Sequence, residues 1–231
     1  MLLSVVIPVF NEAPNLERLL PDLADKCLGA EIIVVDGGST DGTIEAVKRF
    51  PFVRPVLSPR GRAKQMNAGA DQAHGEVLLF LHADTILPHG ASEAIRKALA
   101  DPRIVGGRFD IGLDSSRLAF QVITLFMNLR SRLTGIATGD QAIFVRHKIF
   151  VQMGGFPDIP LMEDVEFTKR LKRRGHIACL PLRVTASTRK WEQEGILRTI
   201  FLMWSLRLLY FFGMSPARLH RLYYGHRPST E

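Results

Sequence analysis

Cysteine is scarce in this sequence, and the features of a secretory leader are missing. The two cysteines, Cys27 and Cys179, lack the spacing of a metal site, so we expect neither a cysteine metal centre nor a disulfide framework. The first ten residues are apolar, but they carry no basic segment and no cleavage site. We therefore expect a first strand there instead of a signal peptide, and a protein of the reducing cytoplasm.

Acidic residues are sparse in the second half of the chain. Residues 1–102 contain 10 Lys/Arg and 13 Asp/Glu, a net charge of −3. Residues 103–231 contain 20 Lys/Arg and 10 Asp/Glu, a net charge of +10. A basic half favours an anionic partner such as a phosphorylated substrate or a membrane surface, with a merely solvated cationic face as the alternative. We expect no nucleic-acid partner, because the basic residues do not form a recognised binding module.

The first hundred residues alternate between strand and helix patterns. Strands are predicted at 2–10, 31–36, 53–57 and 77–81, and helices around 43–50, 62–73 and 91–100. Leu16, Leu19, Leu20 and Leu23 share one face of a further helix, which Pro21 is expected to kink or split. This order predicts right-handed βαβ units and a mostly parallel sheet.

The alternation changes after residue 103. Strands are predicted at 104–111, 141–145, 177–180 and 184–188, and helices at 117–136, 147–153, 163–174 and 196–212. We expect a catalytic domain over residues 1–190, with a ligand-binding part at 1–102 and a second part at 103–190. Residues 191–231 are expected to form an apolar, basic helical extension.

The apolar run Val77–Leu81 predicts the central strand of the sheet. It has no polar alternation, which is typical of a strand buried on both faces. His82, Ala83 and Asp84 follow it directly. Open α/β sheets bind ligands just beyond the carboxyl ends of their strands, so Asp84 is a candidate cation or ligand contact. The alternative is that Asp84 only caps a turn before Pro88.

Four polar segments follow predicted strands or open a helix. They are 8–12 (PVFNE), 35–43 (VDGGSTDGT), 60–67 (RGRAKQMN) and 82–84 (HAD). Since strand ends meet along one edge of such a sheet, these groups could converge on one ligand. Gly61, Arg62 and Lys64 open a helix, where free N–H groups and basic side chains favour phosphate oxygens.

These segments resemble family 2 glycosyltransferases of the GT-A fold. The resemblance is carried by PVFNE, VVDGGSTDGT, the G-R-x-K-x-x-N-x-G pattern at 61–69 and the acid after the central strand. It implies an α/β, GT-A-like, mostly parallel sheet flanked by helices. HAD in place of the usual D-x-D, with EDVEF at 163–167, is similar to a compact bacterial subgroup of candidate arsenosugar-biosynthesis transferases.

The resemblance implies a donor site and a metal site. The residues implied to bind a UDP- or GDP-sugar are Pro8, Asn11, Glu12, Asp36, Gly61, Arg62, Asn67 and Ala83. Asp84 matches the last acid of D-x-D, the ligand of a Mn²⁺ or Mg²⁺ ion that bridges the diphosphate. His82 stands where the family has its first acid, so its contact with metal stays open. One carboxylate with two phosphate oxygens can still hold a hard cation.

The resemblance also implies a general base and an acceptor site. Asp164, the second acid of Glu163-Asp164, corresponds to the base, and Glu163 to an orienting or acceptor-binding partner. The other residues implied to bind the acceptor are Gly139, Asp140, Arg189 and Trp191. Read without the resemblance, acids at a helix start only complement the helix dipole.

The apolar segment 196–212 is short for a membrane span and carries Arg207 inside it. With the basic residues up to 227 it suits a phospholipid surface, and a homodimer contact or a core helix are the alternatives. We therefore expect a cytoplasmic protein. A peripheral contact of residues 196–227 with the inner face of the membrane is an open alternative.

The predicted function is inverting, metal-dependent transfer of a sugar from a nucleotide-diphosphate sugar to an acceptor hydroxyl. Two other functions remain open from the sequence. A sugar-phosphate nucleotidyltransferase shares the general architecture but would release pyrophosphate. A non-catalytic membrane- or partner-binding protein would explain the basic, apolar second half but not the four polar segments.

Overall fold

The computed structural model describes residues 1–225 of the 231-residue chain, with every side chain except that of Lys190. The strands are β1 (Leu3–Val9), β2 (Glu31–Asp36), β3 (Val53–Leu57), β4 (Val77–Phe80), β5 (Thr85–Ile86), β6 (Ile104–Leu113), β7 (Ile143–Arg146) and β8 (His176–Ala186). The helices are α1 (Ala13–Lys26), α2 (Thr43–Lys48), α3 (Arg62–Asp71), α4 (Ala91–Ala98), α5 (Leu118–Thr134), α6 (His147–Gln152), α7 (Glu163–Leu171), α8 (Arg189–Glu194), α9 (Ile196–Phe211) and α10 (Pro216–Tyr224). A 3₁₀ turn at Gly139–Gln141 precedes β7.

The strands of residues 1–225 form a single mixed sheet. Its order is β3-β2-β1-β4-β7-β6-β8-β5. The pairs β1–β2, β2–β3, β1–β4 and β6–β8 are parallel, and the pairs β4–β7, β6–β7 and β5–β8 are antiparallel. The predicted α/β fold with a mostly parallel, helix-flanked sheet is therefore confirmed.

The predicted central strand is β4, and it lies in the middle of the sheet. All four of its residues are buried, and it pairs with β1 on one side and β7 on the other. The strand order changes direction between β1 and β4, which is where open α/β sheets form a ligand crevice. Since β4 ends at Phe80, His82 and Asp84 follow at this crevice.

Apolar side chains pack on both faces of the sheet. One cluster joins the sheet to α1 and α4 through residues such as Leu16 and Ile95, and a second joins it to α3, α6 and α7 through Met66, Phe150 and Phe167. A third cluster, Met162, Leu206, Leu219 and Tyr223, attaches α9 and α10 to the start of α7. The C-terminal helices therefore pack against the segment that carries Glu163 and Asp164.

The expectation that Pro21 splits the first helix is wrong, whereas a kink at Pro21 stays a prediction. Helix α1 runs from Ala13 to Lys26 with Pro21 inside it, and the four predicted leucines are buried. An internal proline costs about 3 kcal/mol. Burial of each leucine contributes about 1.5–3 kcal/mol, so the four together outweigh this cost.

The two strands predicted at 177–180 and 184–188 form one strand, β8. Its pairing with β6 shifts register between Phe109 and Asp110, whose partners are Leu180 and Arg183. The skipped residues include Pro181, which cannot donate a ladder hydrogen bond and is therefore accommodated at such an irregularity. The sequence does not predict the short strand β5, and it predicts residues 191–231 as helical without separate bounds for α8 and α10.

The predicted domain division has no sharp structural counterpart among the described residues. Strands from 1–102 and from 103–190 share the sheet, and α8 crosses position 190. The division stays a prediction. Within residues 1–225, no helix is both long and apolar enough to cross a bilayer. His226 and Arg227, part of the predicted membrane-contact segment, lie outside the described residues.

Candidate active site

Two adjoining cavities open at the carboxyl edge of the sheet. The first, called the carboxylate cavity below, has a volume of about 230 Å³ and is lined by Asp84, Asp140, Glu163 and Asp164 among others. The second, called the basic groove, has a volume of about 930 Å³ and is lined by residues that include Arg60, Arg62, Lys64, Pro8 and Glu12. Arg62 and Glu163 line both, so a ligand of the groove can reach the carboxylates.

Asp164 lies at the start of α7, where the preceding Met162 has a φ of 69°. One carboxylate oxygen accepts a hydrogen bond from the Gly139 N–H at 2.8 Å, and the other accepts one from the Val165 N–H at 2.6 Å. Burial raises the pKa of Asp164, and the Gly139 N–H and the Arg207 guanidinium oppose this rise. A carboxylate with a raised pKa and a fixed orientation is suited to accept a proton near neutral pH.

Glu163 is the buried neighbour of Asp164. Only 5% of it is exposed, and the nearest guanidinium nitrogen of Arg62 is 4.0 Å from its carboxylate. Burial, followed by the charge of Asp164, raises the pKa of Glu163 to about 7. Two adjacent acids in one buried site hinder each other's ionisation, which is common in active sites.

His82 and Asp84 line the carboxylate cavity beyond the end of β4. Asp84 is exposed, whereas the His82 Nε2 atom is buried and has no hydrogen-bond partner. Burial, and then Arg62, lowers the pKa of His82 to about 3, so its imidazole is neutral at physiological pH. A Cβ atom on residue 139 would lie 2.5 Å from His82 Nε2, so any residue other than glycine would displace the imidazole.

These two side chains fit a divalent cation as partial ligands. A carboxylate oxygen and a neutral imidazole nitrogen are donors that Mn²⁺ accepts, and Mg²⁺ prefers the oxygen. Residues 1–225 contain no group of three or more His, Cys, Asp or Glu side chains placed to hold a metal. A cation here would therefore take its other ligands from substrate oxygens and water.

The basic groove lies at the start of α3. Gly61, with a φ of 140°, precedes the first helical residue, Arg62. The Arg60 guanidinium lies 3.7 Å from the centre of the Phe10 ring, and Lys64 is 3.8 Å from Asp158. Free helix N–H groups with three basic side chains favour a phosphate group.

Four residues predicted to bind the donor do not line either cavity. Asn11 accepts a hydrogen bond from the Thr40 N–H at 2.9 Å, and Asp36 accepts from the N–H groups of Gly38 and Ser39 at 3.0 Å. The Asn67 amide pairs with both backbone groups of Phe156 at 2.9 Å. The fourth, Ala83, is buried. Asn11, Asp36 and Asn67 brace the loops around the site, and their contact with a nucleotide stays a prediction.

Of the five residues predicted to bind the acceptor, four line the carboxylate cavity and one does not. Gly139, Asp140, Glu163 and Trp191 line the carboxylate cavity, where one buried oxygen of Asp140 has no hydrogen-bond partner. Arg189 does not line this cavity, and instead borders a separate pocket with Asp114 and Glu192. The structure thus brings together four of the five predicted acceptor residues.

Sequence reasoning missed the contribution of the C-terminal helices to the cavity. Met203 and Arg207 of α9 and Tyr223 and Tyr224 of α10 line it. A lone arginine within an otherwise apolar helix was the available signal, because such a charge is normally directed at a partner or a polar cavity. From the sequence alone, Arg207 indicates only that the segment is poorly suited to membrane insertion.

Curated relatives of this chain are named glycosyltransferases. Glycosyltransferase AglE of Haloferax volcanii is 29% identical, over 78% of this chain and 67% of AglE. The probable glycosyltransferase YdaM of Bacillus subtilis is 27% identical, over 83% of this chain and 50% of YdaM. The chain therefore spans between half and about two thirds of the length of these relatives.

Solved structures show the same fold. S. aureus TarS 1–349 superposes with a TM-score of 0.67 and 22% identity, over 81% of this chain and 61% of TarS 1–349. The mannosyltransferase PcManGT from Pyrobaculum calidifontis, in complex with GDP-Man and Mn²⁺, superposes with a TM-score of 0.63 and 24% identity. The superposition covers 79% of this chain and 56% of PcManGT. The predicted GT-A architecture is thereby confirmed.

The family model described as glycosyl transferase family 2 matches residues 4–153. These residues contain the carboxyl ends of β1, β2 and β4 at the crevice, together with Arg62, Asp84 and Gly139. The match covers well over half of the chain and agrees with the names of its relatives. The chain therefore belongs to glycosyl transferase family 2.

Proposed function

We propose that this chain transfers a sugar from a nucleotide-diphosphate sugar to an acceptor hydroxyl, with inversion at the anomeric carbon. The observation that carries the proposal is the junction of the two cavities. A basic groove suited to a diphosphate meets a cavity with two carboxylates of raised pKa, and Arg62 and Glu163 line both. Leaving group and base can therefore lie on opposite sides of one sugar.

The donor is proposed to be a UDP- or GDP-sugar. TarS 1–349 has been solved in complex with UDP-GlcNAc, and PcManGT in complex with GDP-Man. In this chain the groove offers Arg60, Arg62 and Lys64 to the diphosphate. Their charges would stabilise the negative charge that develops on the departing nucleoside diphosphate.

Asp164 is proposed to act as the general base. The acceptor O–H bond breaks as its proton passes to an Asp164 carboxylate oxygen, while the acceptor oxygen bonds to the anomeric carbon. The bond from that carbon to the diphosphate oxygen breaks, and its electron pair leaves with the nucleoside diphosphate. The Gly139 N–H orients the base through its hydrogen bond, and Glu163 orients Arg62. A Mn²⁺ or Mg²⁺ ion at Asp84 and His82 would neutralise charge on the diphosphate.

A thermal-shift screen tests the proposal. We expect UDP or GDP, together with Mn²⁺ or Mg²⁺, to raise the melting temperature, because a ligand that binds only the folded state stabilises it by about 2.7 kcal/mol at one hundred times its Kd. Asp84→Ala should remove most of the metal-dependent part of this shift. Asp71→Ala, an exposed aspartate on α3, is the matched control and should behave as the native chain. No shift with UDP, GDP, CDP or dTDP would contradict a nucleotide-dependent enzyme.

Arg207→Gln should change the pH dependence of transfer. The Arg207 guanidinium lowers the pKa of Asp164 by favouring its charged form, so its removal raises that pKa further. Asp164 then stays protonated, and inactive as a base, to a higher pH. We expect the acid limb of the kcat/KM profile to move to higher pH in Arg207→Gln and to stay in place in Arg207→Lys. Superimposable profiles for all three proteins would argue against Asp164 as the titrating base.

The finer predictions from the sequence stay predictions. They are the arsenosugar-related subgroup, the identity of the metal, the homodimer and the cytoplasmic location. A sugar-phosphate nucleotidyltransferase is distinguished by its product, because it would release pyrophosphate where a transferase releases a nucleoside diphosphate.

A further inference from the structure

Helix α9 exposes a continuous apolar stripe. Leu197, Phe201, Trp204, Leu208 and Phe211 follow one another at alternating spacings of four and three residues, which places them on one face of the helix. Their exposed fractions lie between 58% and 83%. The opposite face of α9 carries the buried Thr199 and Leu206. The helix therefore packs on the protein with one face and leaves large apolar side chains outside on the other.

Helix α5 has a second stripe of the same kind. It consists of Leu118, Val122, Leu125, Phe126, Leu129 and Leu133, whose exposed fractions lie between 43% and 78%. Phe120 and Ile123 are the buried apolar residues of this helix. Contiguous apolar surface of this extent on a folded chain marks a contact with a partner or a membrane.

Both stripes lie in segments without any acidic residue. Residues 115–139 and 195–225 contain seven arginines and no aspartate or glutamate. The side chains of Arg198, Arg218 and Arg221 are exposed. Arg117 and Arg132 are exposed as well, and they form ion pairs with Glu192 and Asp110, which lie outside these two segments. Apolar surface combined with arginine is complementary to the tails and headgroups of an anionic phospholipid layer.

The same charge pattern disfavours a second copy of the chain as the occupant. In a symmetric dimer the same surface is contributed by both copies, so arginines would meet arginines with no acid of these segments between them. Nor does either helix cross a bilayer, as α9 has 16 residues and α5 has 17. Trp204 suits the headgroup level, where tryptophan is enriched.

We propose that the outer faces of α9 and α5 dock on an anionic phospholipid surface, with both helices lying in the plane of the interface. The inner faces of the same helices border the carboxylate cavity through Met127 of α5 and Met203 and Arg207 of α9. Docking would thus place this cavity beside the bilayer. If the proposed function holds, the acceptor is then an amphiphile that keeps its apolar part in the bilayer and presents its hydroxyl to Asp164.

Vesicle flotation tests the docking without any reference to activity. We expect the full chain to float with vesicles of phosphatidylcholine mixed with phosphatidylglycerol and to bind far less to phosphatidylcholine alone. Phe201→Glu and Trp204→Glu should each weaken binding by about tenfold or more, given the value of burying a large apolar side chain. Arg218→Gln and Arg221→Gln should each weaken it by about fivefold, as expected for one basic residue near an anionic surface. Leu28→Glu, at an 86% exposed leucine outside the two stripes, is the matched control and should bind as the native chain.

The two tryptophans of the chain allow a site-specific test. Trp191 lines the carboxylate cavity and Trp204 lies on the exposed stripe, so Trp191→Phe leaves Trp204 as the single reporter. On anionic vesicles its emission should shift to the blue and be quenched by brominated phospholipid. The converse variant, Trp204→Phe, should show much weaker quenching of Trp191.

Three outcomes would overturn the docking. The first is no flotation with anionic vesicles, and the second is unchanged flotation of Phe201→Glu and Trp204→Glu. The third is size-exclusion chromatography in which the native chain elutes as a dimer and these two variants elute as monomers. Failure of the proposed function is separate, because no nucleoside diphosphate would then raise the melting temperature while flotation stays as predicted.

Discussion

Asp164→Asn is expected to reduce sugar transfer by about 10²–10⁴-fold, the usual contribution of a positioned general base. Asparagine keeps the size of the side chain, and its amide oxygen can still accept the Gly139 N–H. It cannot take up the acceptor proton. The measurement is the release of nucleoside diphosphate from whichever nucleotide sugar stabilises the chain, in the presence of an acceptor.

Nucleotide binding separates loss of the base from loss of the fold. Because the basic groove does not include Asp164, the thermal shift with nucleoside diphosphate and metal should be retained in Asp164→Asn. Glu166→Gln, on the same helix and hydrogen-bonded to the Tyr210 hydroxyl at 3.0 Å, is the control and should retain transfer. Full turnover by Asp164→Asn would refute the assignment of the base.

Asp110→Ala is expected to lower the free energy of unfolding by about 3–5 kcal/mol, the usual cost of breaking a buried ion pair from one side. The Asp110 carboxylate accepts hydrogen bonds from Arg108 and, at 2.6 Å, from Arg132. The Arg108 side chain is only 1% exposed, so removal of Asp110 leaves a buried guanidinium without its carboxylate. Denaturant unfolding followed by circular dichroism measures the change.

The exposed pair between Arg49 and Glu17 provides the control for Asp110→Ala. Both side chains are at least half exposed, so Glu17→Ala should change the free energy of unfolding by no more than about 1 kcal/mol. Similar losses in the two variants would show that burial does not determine the strength of the Asp110 interaction.

The candidate site was predictable where the sequence pattern is local. An uninterrupted apolar run followed by a polar group predicted that β4 ends at the crevice, and Asp84 lies there. Glu163, Asp164, Arg62 and Gly61 were also predicted, and they lie on or between the two cavities. Each of these positions depends on a strand end or a helix start, which short stretches of sequence encode.

Residues that depend on long-range packing were predicted less well. Asn67 lies in a segment matched to the nucleotide site, yet its amide bonds the backbone of Phe156, 89 positions away. Arg207 is separated from Asp164 by several elements, and only the packing of α9 on the start of α7 makes them interact. No local pattern contains such pairings, because they follow from the path of the whole chain.

The sequence by itself determined the alternation of the main strands and helices over the first hundred residues, the buried central strand and the family, because hydrophobic periodicity and short motifs are local properties. Only the tertiary structure decided that α1 continues through Pro21, that β8 is one strand and that α9 and α10 close the carboxylate cavity. It also decided that the apolar stripes of α5 and α9 lie outside and not in the core. The physical reason is that the burial of apolar surface is summed over the whole fold and can outweigh any single local preference.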